Sequence, residues 1–259
     1  MTKRLSKLGI LGFLIMLILP LQSLKVQANA YIQPTTLDLI VATKSGASLQ
    51  ELLEDLPENA TSSDPNLMLI NALHPIESDL WMDFAYTDKG EMFDSAISGY
   101  YYQMINDAAA QGIYYDVVSA YRTIEEQTYN RTVRINAYLA EGYSQADAIN
   151  LTDRYYAPAN ASEHNTGLVF DLLGYDWVNI GGGLSADYAY QYSAVWLAEN
   201  AYQYGFILRY PEGKTHLTGY YFEPWHYRYV GYEHAEYMFR HGLVLEEYLL
   251  LLQTREALN

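Results

Sequence analysis

The chain of 259 residues contains no cysteine. This absence excludes disulfide bridges, a lipid-modified cysteine anchor and thiolate ligands for a metal ion. A metal site in this protein would therefore have to be built from histidine and carboxylate side chains, which are the other common donors to zinc.

Basic residues are also scarce, because 15 lysines and arginines stand against 31 acidic residues and the formal net charge is −16. Such a surface repels nucleic-acid phosphates and favours solubility, and it argues against simple attraction to an anionic membrane or wall polymer. We therefore expect no nucleic-acid partner and a monomeric protein. The few arginines become informative because they are rare.

One long hydrophobic run occurs at the N-terminus, from Leu8 to Leu19, where basic residues precede it and Ala28-Asn29-Ala30 follows. This layout predicts that residues 1–30 are a secretory signal peptide with an A-x-A cleavage site. The alternative is an uncleaved membrane anchor, although the run is shorter than the roughly 20 residues of a spanning helix. We expect a secreted protein, extracellular or associated with the cell wall, and a membrane-anchored one if the segment is kept.

The rest of the chain is long enough to bury a substantial core. We interpret residues 31–65 as a leader or linker and residues 66–259 as the folded domain. Strands are predicted at Leu67–Asn71, Val117–Tyr121, Phe206–Tyr210 and Tyr220–Glu223, the last two joined as a hairpin by a turn at Pro211–Lys214. Helical spacing is found between these segments and towards the C-terminus. The mixture predicts an α+β fold with a small antiparallel sheet flanked by helices.

A helix start is predicted directly after the second of these strands. Thr123 and Glu126 have the spacing of a capping box, so we expect a helix that runs to about Glu141. Arg122 then lies between strand and helix, and Gln127 lies in the first helical turn.

Two polar side chains interrupt an apolar stretch further on. His164 precedes a strand-like run, and Asp171 lies inside that run between Phe170 and Leu172, where an unpaired charge would be costly. A third candidate ligand, His226, follows about fifty residues later. A satisfied pair in the core remains the alternative for His164 and Asp171.

The three residues could form a catalytic zinc site. Zinc in such sites takes three protein ligands and leaves a position open, and two histidines with one aspartate are an acceptable set. Glu223 lies three residues before His226 in a segment bent by Pro224, so it could reach the site without being a ligand. It is the candidate general base.

Several ordered stretches together resemble the VanY-type D-alanyl-D-alanine carboxypeptidases. They are Ser119-Ala120-Tyr121-Arg122 with Gln127, Ser162-Glu163-His164-Asn165-Thr166-Gly167 with Asp171, Tyr204 to Pro211, and Glu223 to Gly231. The resemblance implies a zinc carboxypeptidase that trims the terminal D-alanine from bacterial peptidoglycan stem peptides. It also implies the fold shared with VanX-like dipeptidases and the hedgehog signalling domain.

Carried over by position, the resemblance implies roles for seven residues. One zinc ion is held by His164, Asp171 and His226, with Glu223 as the base. Arg122 is placed to hold the scissile carbonyl oxygen as it gains charge. Gln127 and Ser162 match positions that contact the terminal D-alanine. Ala120, Asn165 and Val169-Phe170 depart from the common family residues, which affects the shape of the pocket and not its chemistry.

Two alternatives stay open. Some relatives act as L,D-carboxypeptidases on tetrapeptide stems, and the sequence does not separate them from the D,D-enzymes. A cell-wall-binding module that keeps zinc without hydrolysis is also possible on this fold. The presence of Glu223 argues against such a module, because a module without catalysis does not need the base.

Overall fold

The structure is a computed structural model that describes residues 36–37 and 47–259. The predicted signal peptide, residues 1–30, and most of the first part of the leader lie outside the described residues. Within the described ranges, no helix is both long enough and apolar enough to cross a membrane.

The described strands are β1 (Phe84–Tyr86), β2 (Met92–Asp94), β3 (Tyr115–Ser119), β4 (Val169–Gly174), β5 (Phe206–Leu208) and β6 (His226–Tyr229). Four of them form an antiparallel sheet at the centre of the fold, in which each strand is hydrogen-bonded to its neighbour in the order β3, β4, β6, β5. The central strand β4 is buried along its whole length, although it carries Asp171. A separate antiparallel ribbon is formed by β1 and β2.

Helices flank the sheet, and the predicted α+β class with a small antiparallel sheet is confirmed. The described helices are α1 (Leu49–Glu54), α2 (Ser98–Ala109), α3 (Ile124–Ala140), α4 (Gln145–Thr152), α5 (Tyr175–Val178), α6 (Tyr192–Asn200), α7 (Thr215–Thr218), α8 (Tyr232–His241) and α9 (Leu245–Leu258). The predicted capping box is present at the start of α3, where Thr123 and Glu126 bond each other's backbone amides. Short 3₁₀ helices occur at Pro65–Leu67, Ser95–Ile97, Glu163–Thr166, Ala186–Tyr190 and Ala201–Tyr204.

Two large hydrophobic clusters lie around this sheet. The first is largely aromatic and joins the sheet to α2 and α6, with the rings of Tyr101 and Phe170 stacked 4.3 Å apart. The second joins α1, α8 and α9 and is mostly aliphatic, with Leu52 and Met238 among its buried members. Together they fix the sheet from two sides, so that its strand ends can present polar side chains in a defined place.

The strand predicted at Tyr220–Glu223 is wrong. The strand that pairs with β5 is β6, so that Phe206 lies opposite Tyr229, and α7 and a loop lie between the two strands. Pro224 has no amide hydrogen to give to a sheet. The amide of Glu223 donates to Tyr210 and the amide of His226 donates to Glu223, so this stretch forms a turn that enters β6.

The strand predicted at Leu67–Asn71 is also wrong. Residues Pro65–Leu67 form a 3₁₀ helix that is capped by the side chain of Asp64. The carbonyl groups of Asn66 and Met68 accept hydrogen bonds from Nη2 of Arg228 at 2.9 and 3.0 Å. A side chain therefore satisfies backbone groups that a neighbouring strand would otherwise have bonded.

Part of the predicted leader packs on the rest of the chain. Leu52, Leu56 and Ala60 are buried in the aliphatic cluster against α8 and α9. The hydroxyl group of Tyr237 donates to the carbonyl of Leu52 at 2.7 Å. The described residues from 47 onward thus contribute to the core.

We predict that Leu52→Ala lowers the free energy of unfolding by about 2–5 kcal/mol, because it removes a fully buried side chain and leaves a cavity. Leu258→Ala is the matched control, since Leu258 is 73 % exposed and its loss should cost at most about 0.5 kcal/mol. Denaturant unfolding of both variants measures the difference. Equal stabilities would show that α1 is not part of the cooperative unit.

Candidate active site

An open cleft of about 640 Å³ lies beside the central sheet. Its walls come from the end of β3, the helix α3, the 3₁₀ segment before β4 and the turn that enters β6. All seven residues predicted for the site line this cleft: Arg122, Gln127, Ser162, His164, Asp171, Glu223 and His226.

The pairing of β4 with β6 brings two of the predicted metal ligands together. Asp171 lies directly opposite His226 in the register, and an irregularity in β3 brings Ser119 opposite Asp171 on the other side. His164 is contributed by the 3₁₀ segment that precedes β4. Nε2 of His164 lies 3.2 Å from Oδ2 of Asp171, and Nδ1 of His226 lies 3.1 Å from its Oδ1.

Each imidazole ring is oriented by an oxygen atom near the ring nitrogen that faces away from Asp171. Nδ1 of His164 lies 2.5 Å from the carbonyl oxygen of Ala120, which leaves Nε2 facing Asp171. Nε2 of His226 points towards Oε2 of Glu163, 3.6 Å away, which leaves Nδ1 facing Asp171. Potential ligand atoms from all three residues lie within 4.8 Å of one another.

Gly167 makes the close approach of this segment possible. Its φ of 69° is in the left-handed region, where residues with a side chain are strained. A Cβ atom at this position would lie 2.5 Å from Sδ of Met82 and 2.9 Å from the amide nitrogen of Asp94. The short turn between His164 and β4 therefore depends on glycine.

The pKa shifts of His164, Asp171 and His226 favour the binding of a positive charge between these three side chains. Burial and the nearby charge of Arg122 lower the pKa of His164 to about 4, so its ring is neutral with a free lone pair. Burial opposes ionisation of Asp171, but the two histidines hold its pKa well below the usual range. Burial also opposes a charge on His226, yet Asp171 and Glu163 outweigh it and raise its pKa to about 9.

These residues fit a zinc-type metal ion. The donors are two imidazole nitrogens and a carboxylate, all buried, and this is a set that zinc accepts. Oδ1 of Asp171 is buried and makes no well-aligned hydrogen bond among the described residues, because its 3.1 Å contact with Nδ1 of His226 lacks hydrogen-bond geometry. Such an oxygen is costly unless another group binds it. A cation held by these atoms would satisfy that oxygen.

Glu223 lies beside this group and contributes no atom to it. Its Oε2 is 3.5 Å from Nδ1 of His226, and the side chain is buried. Burial and the neighbouring charge of Asp171 raise the pKa of Glu223 to about 8, although His226 and Arg122 act in the opposite direction. A carboxyl group with a pKa near neutrality is suited to take up and release a proton.

The other three predicted site residues, Arg122, Gln127 and Ser162, form hydrogen bonds within the protein. Nη1 of Arg122 donates to Oε1 of Gln127 at 2.7 Å, and Nε2 of Gln127 donates to the carbonyl of Ala157 at 2.9 Å. Gln127 therefore holds Arg122 in the cleft. The hydroxyl of Ser162 accepts from the amide of His164 at 3.3 Å and caps the 3₁₀ segment. Contact of Gln127 and Ser162 with a substrate stays a prediction.

Comparison with known proteins gives the family. The family model of VanY, described as D-alanyl-D-alanine carboxypeptidase, matches residues 90–232, which include the whole cleft group. The chain belongs to the VanY family. A D-alanyl-D-alanine carboxypeptidase of Enterococcus faecalis is 35 % identical over 225 residues, which are 84 % of this chain and 81 % of that protein.

Solved structures of VanY-type enzymes share the fold. A VanY mutant from the VanB-type resistance cassette, solved in complex with Zn(II), is 37 % identical with a TM-score of 0.64, and the match covers 72 % of this chain and 99 % of that one. The L,D-carboxypeptidase DacB of Streptococcus pneumoniae is 34 % identical with a TM-score of 0.52 over 70 % of this chain and 84 % of that one. The protein is thus a VanY-family carboxypeptidase.

A buried charge network behind the ligands was missed in the sequence. In this VanY-family chain, Oε1 of Glu163 lies 2.7 Å from Nε of Arg209 and 3.2 Å from Nη1 of Arg228. Arg209 also binds both carboxylate oxygens of Glu246 on α9. The available signal was the position of Arg209 and Arg228 in largely apolar or aromatic stretches. Their common partner, Glu163, is far from both in sequence.

The network keeps Glu163 ionised. Burial opposes the charge, but Arg209 and Arg228 outweigh it and hold the pKa of Glu163 well below its usual range. The charged carboxylate then faces Nε2 of His226 and favours a proton on that nitrogen. This fixes the ring with Nδ1 towards the cleft, as partners behind a metal-binding histidine commonly do.

We predict that Glu163→Ala lowers the free energy of unfolding by about 3–5 kcal/mol, because two buried guanidinium groups lose a carboxylate. Glu236→Ala, which breaks a surface pair with Arg240, should cost no more than about 1 kcal/mol. Thermal and denaturant unfolding of both variants measure this. Similar small losses would contradict the importance of the network.

Proposed function

We propose that this protein is a secreted, zinc-dependent D-alanyl-D-alanine carboxypeptidase that removes the C-terminal D-alanine of peptidoglycan stem peptides. The observation that carries the proposal is the buried group of His164, Asp171 and His226 with Glu223 beside it, in one open cleft. Membership of the VanY family and the Zn(II) complex of a VanY structure support it.

Each residue then has a defined task. His164, Asp171 and His226 would hold one zinc ion, which would supply the Lewis-acid chemistry that makes water nucleophilic near neutral pH. Glu223 takes a proton from the attacking water and gives it to the nitrogen of the leaving D-alanine as the peptide bond breaks. Arg122, held by Gln127, is in position to donate to the carbonyl oxygen as negative charge develops on it.

We predict that Glu223→Gln reduces kcat by about 10²–10⁴-fold, since the amide can neither accept nor return the proton. The variant should bind zinc as the wild type does, because Glu223 is not among the three ligands. Release of D-alanine and metal content are measured together. Glu212→Gln, at an exposed position, is the matched control and should retain activity. Full activity of Glu223→Gln would exclude Glu223 as the base.

Removal of the metal should abolish hydrolysis. We expect a chelator to stop D-alanine release and added zinc to restore it, because the ion held by Asp171 and the two histidines would supply the Lewis acid that activates the attacking water. Elemental analysis of the purified protein should find one zinc ion per chain. Activity that is unaffected by a chelator in a metal-free sample would contradict the zinc mechanism.

L,D-carboxypeptidase activity on tetrapeptide stems is the second candidate, and the similarity to DacB favours keeping it. D,D-activity is preferred because the enterococcal relative and the VanY structures carry that name. We expect faster release of D-alanine from a pentapeptide stem than from the matching tetrapeptide. The reverse order would assign the L,D-activity. Binding of stem peptides without any release would instead indicate a non-catalytic module.

A further inference from the structure

One wall of the cleft is a single face of α3. Gln127, Asn130, Arg134 and Tyr138 all line the cleft and are spaced at intervals of three or four residues, which places them along one side of the helix. The wall begins at the proposed catalytic centre, where Gln127 contacts Arg122, and leads away from it along the helix axis.

Two arginines on this helix differ in their partners. Arg131 forms an ion pair with Asp153 and donates to the carbonyl of Tyr156 at 2.8 Å. Arg134 donates to the neutral hydroxyl of Tyr138 at 2.9 Å, and its guanidinium lies 4.5 Å from the centre of that ring. Among the described residues, no carboxylate lies within ion-pair distance of Arg134.

The lack of a carboxylate is notable in this chain, where acidic residues outnumber basic ones by about two to one. The acidic residues that line the cleft are Glu163, Asp171 and Glu223, all buried at its centre. The outer wall along α3 has Arg134 and no acidic side chain. Arg134 thus provides a positive charge on the outer wall, in addition to Arg122 at the centre of the cleft.

The position of Arg134 can be related to a bound peptide. Arg134 follows Gln127 by seven residues, which corresponds to roughly 10 Å along a helix that rises about 1.5 Å per residue. An extended peptide advances about 3.3–3.6 Å per residue. A substrate that runs along α3 from Arg122 therefore reaches Arg134 about three residues upstream of the scissile bond.

We propose that Arg134 forms a carboxylate-binding subsite for an acidic group that the substrate carries about three residues upstream of the cleaved bond. The inference rests on the proposed function and adds the class of peptide that is preferred, an acidic one. The guanidinium offers a planar pair of donors that matches a carboxylate. The contact with Tyr138 holds that pair in place before the substrate binds, which reduces the entropy lost on binding.

The test compares two synthetic peptides that end in D-Ala-D-Ala and differ only in glutamate or glutamine at the third residue upstream of the scissile bond. We expect the wild type to favour the glutamate peptide by about two- to fivefold in kcat/KM, mainly through KM, because Arg134 is exposed and a solvent-exposed ion pair contributes little more. Arg134→Gln should reduce this ratio to near one. Arg240→Gln, which removes an arginine outside the cleft, should keep it.

Equal kcat/KM of the wild type on both peptides, or an unchanged preference in Arg134→Gln, would overturn the subsite. If neither peptide releases D-alanine, the proposed function fails, and calorimetric binding of the same peptides then decides the subsite separately. Tighter binding of the glutamate peptide that is lost in Arg134→Gln supports the subsite. Equal binding of both peptides to the wild type overturns it.

Discussion

The pairing of buried Glu163 with Arg209 and Arg228 is the interaction on which the rest of the site depends. A buried carboxylate is stable only with such partners, and here the partners come from β6 and from the residue after β5. Glu163 directly precedes His164 in the chain, and its Oε2 lies 3.6 Å from Nε2 of His226. One ionised group therefore sets the place of one ligand and the orientation of another.

The grouping of the three candidate metal ligands could be predicted from the sequence because its signal is local. His164 and Asp171 interrupt an apolar stretch, and Glu223 with His226 forms a compact second motif. The capping box at Thr123 is also a local signal, because it depends only on Thr123 and Glu126, and the structure confirms it. Resemblance to a known family supplied what local patterns lacked, namely that the two motifs meet.

Other features depend on contacts between distant segments and could not be predicted in this way. The apolar run at Leu67–Asn71 resembles a strand in composition, but the side chain of Arg228 binds the backbone carbonyls of Met68 and of Asn66 just before the run. The aromatic run at Tyr220–Glu223 also favours a strand, yet the turn at Pro224 shifts the pairing to β6. The composition of a segment predicts whether it is buried. It does not predict which strand the segment pairs with, because that depends on contacts between distant parts of the chain.

The register of β4 against β6 has a consequence for how the protein reaches its working state. Side chains alternate between the two faces of a strand, so a slip by one residue would turn Asp171 and His226 to opposite sides of the sheet. Only the correct alignment gathers the donors. A metal ion that binds this alignment adds its binding free energy to that register alone. The metal would thus stabilise the correct strand pairing over the shifted ones. The protein would complete its fold and its active site in the same step.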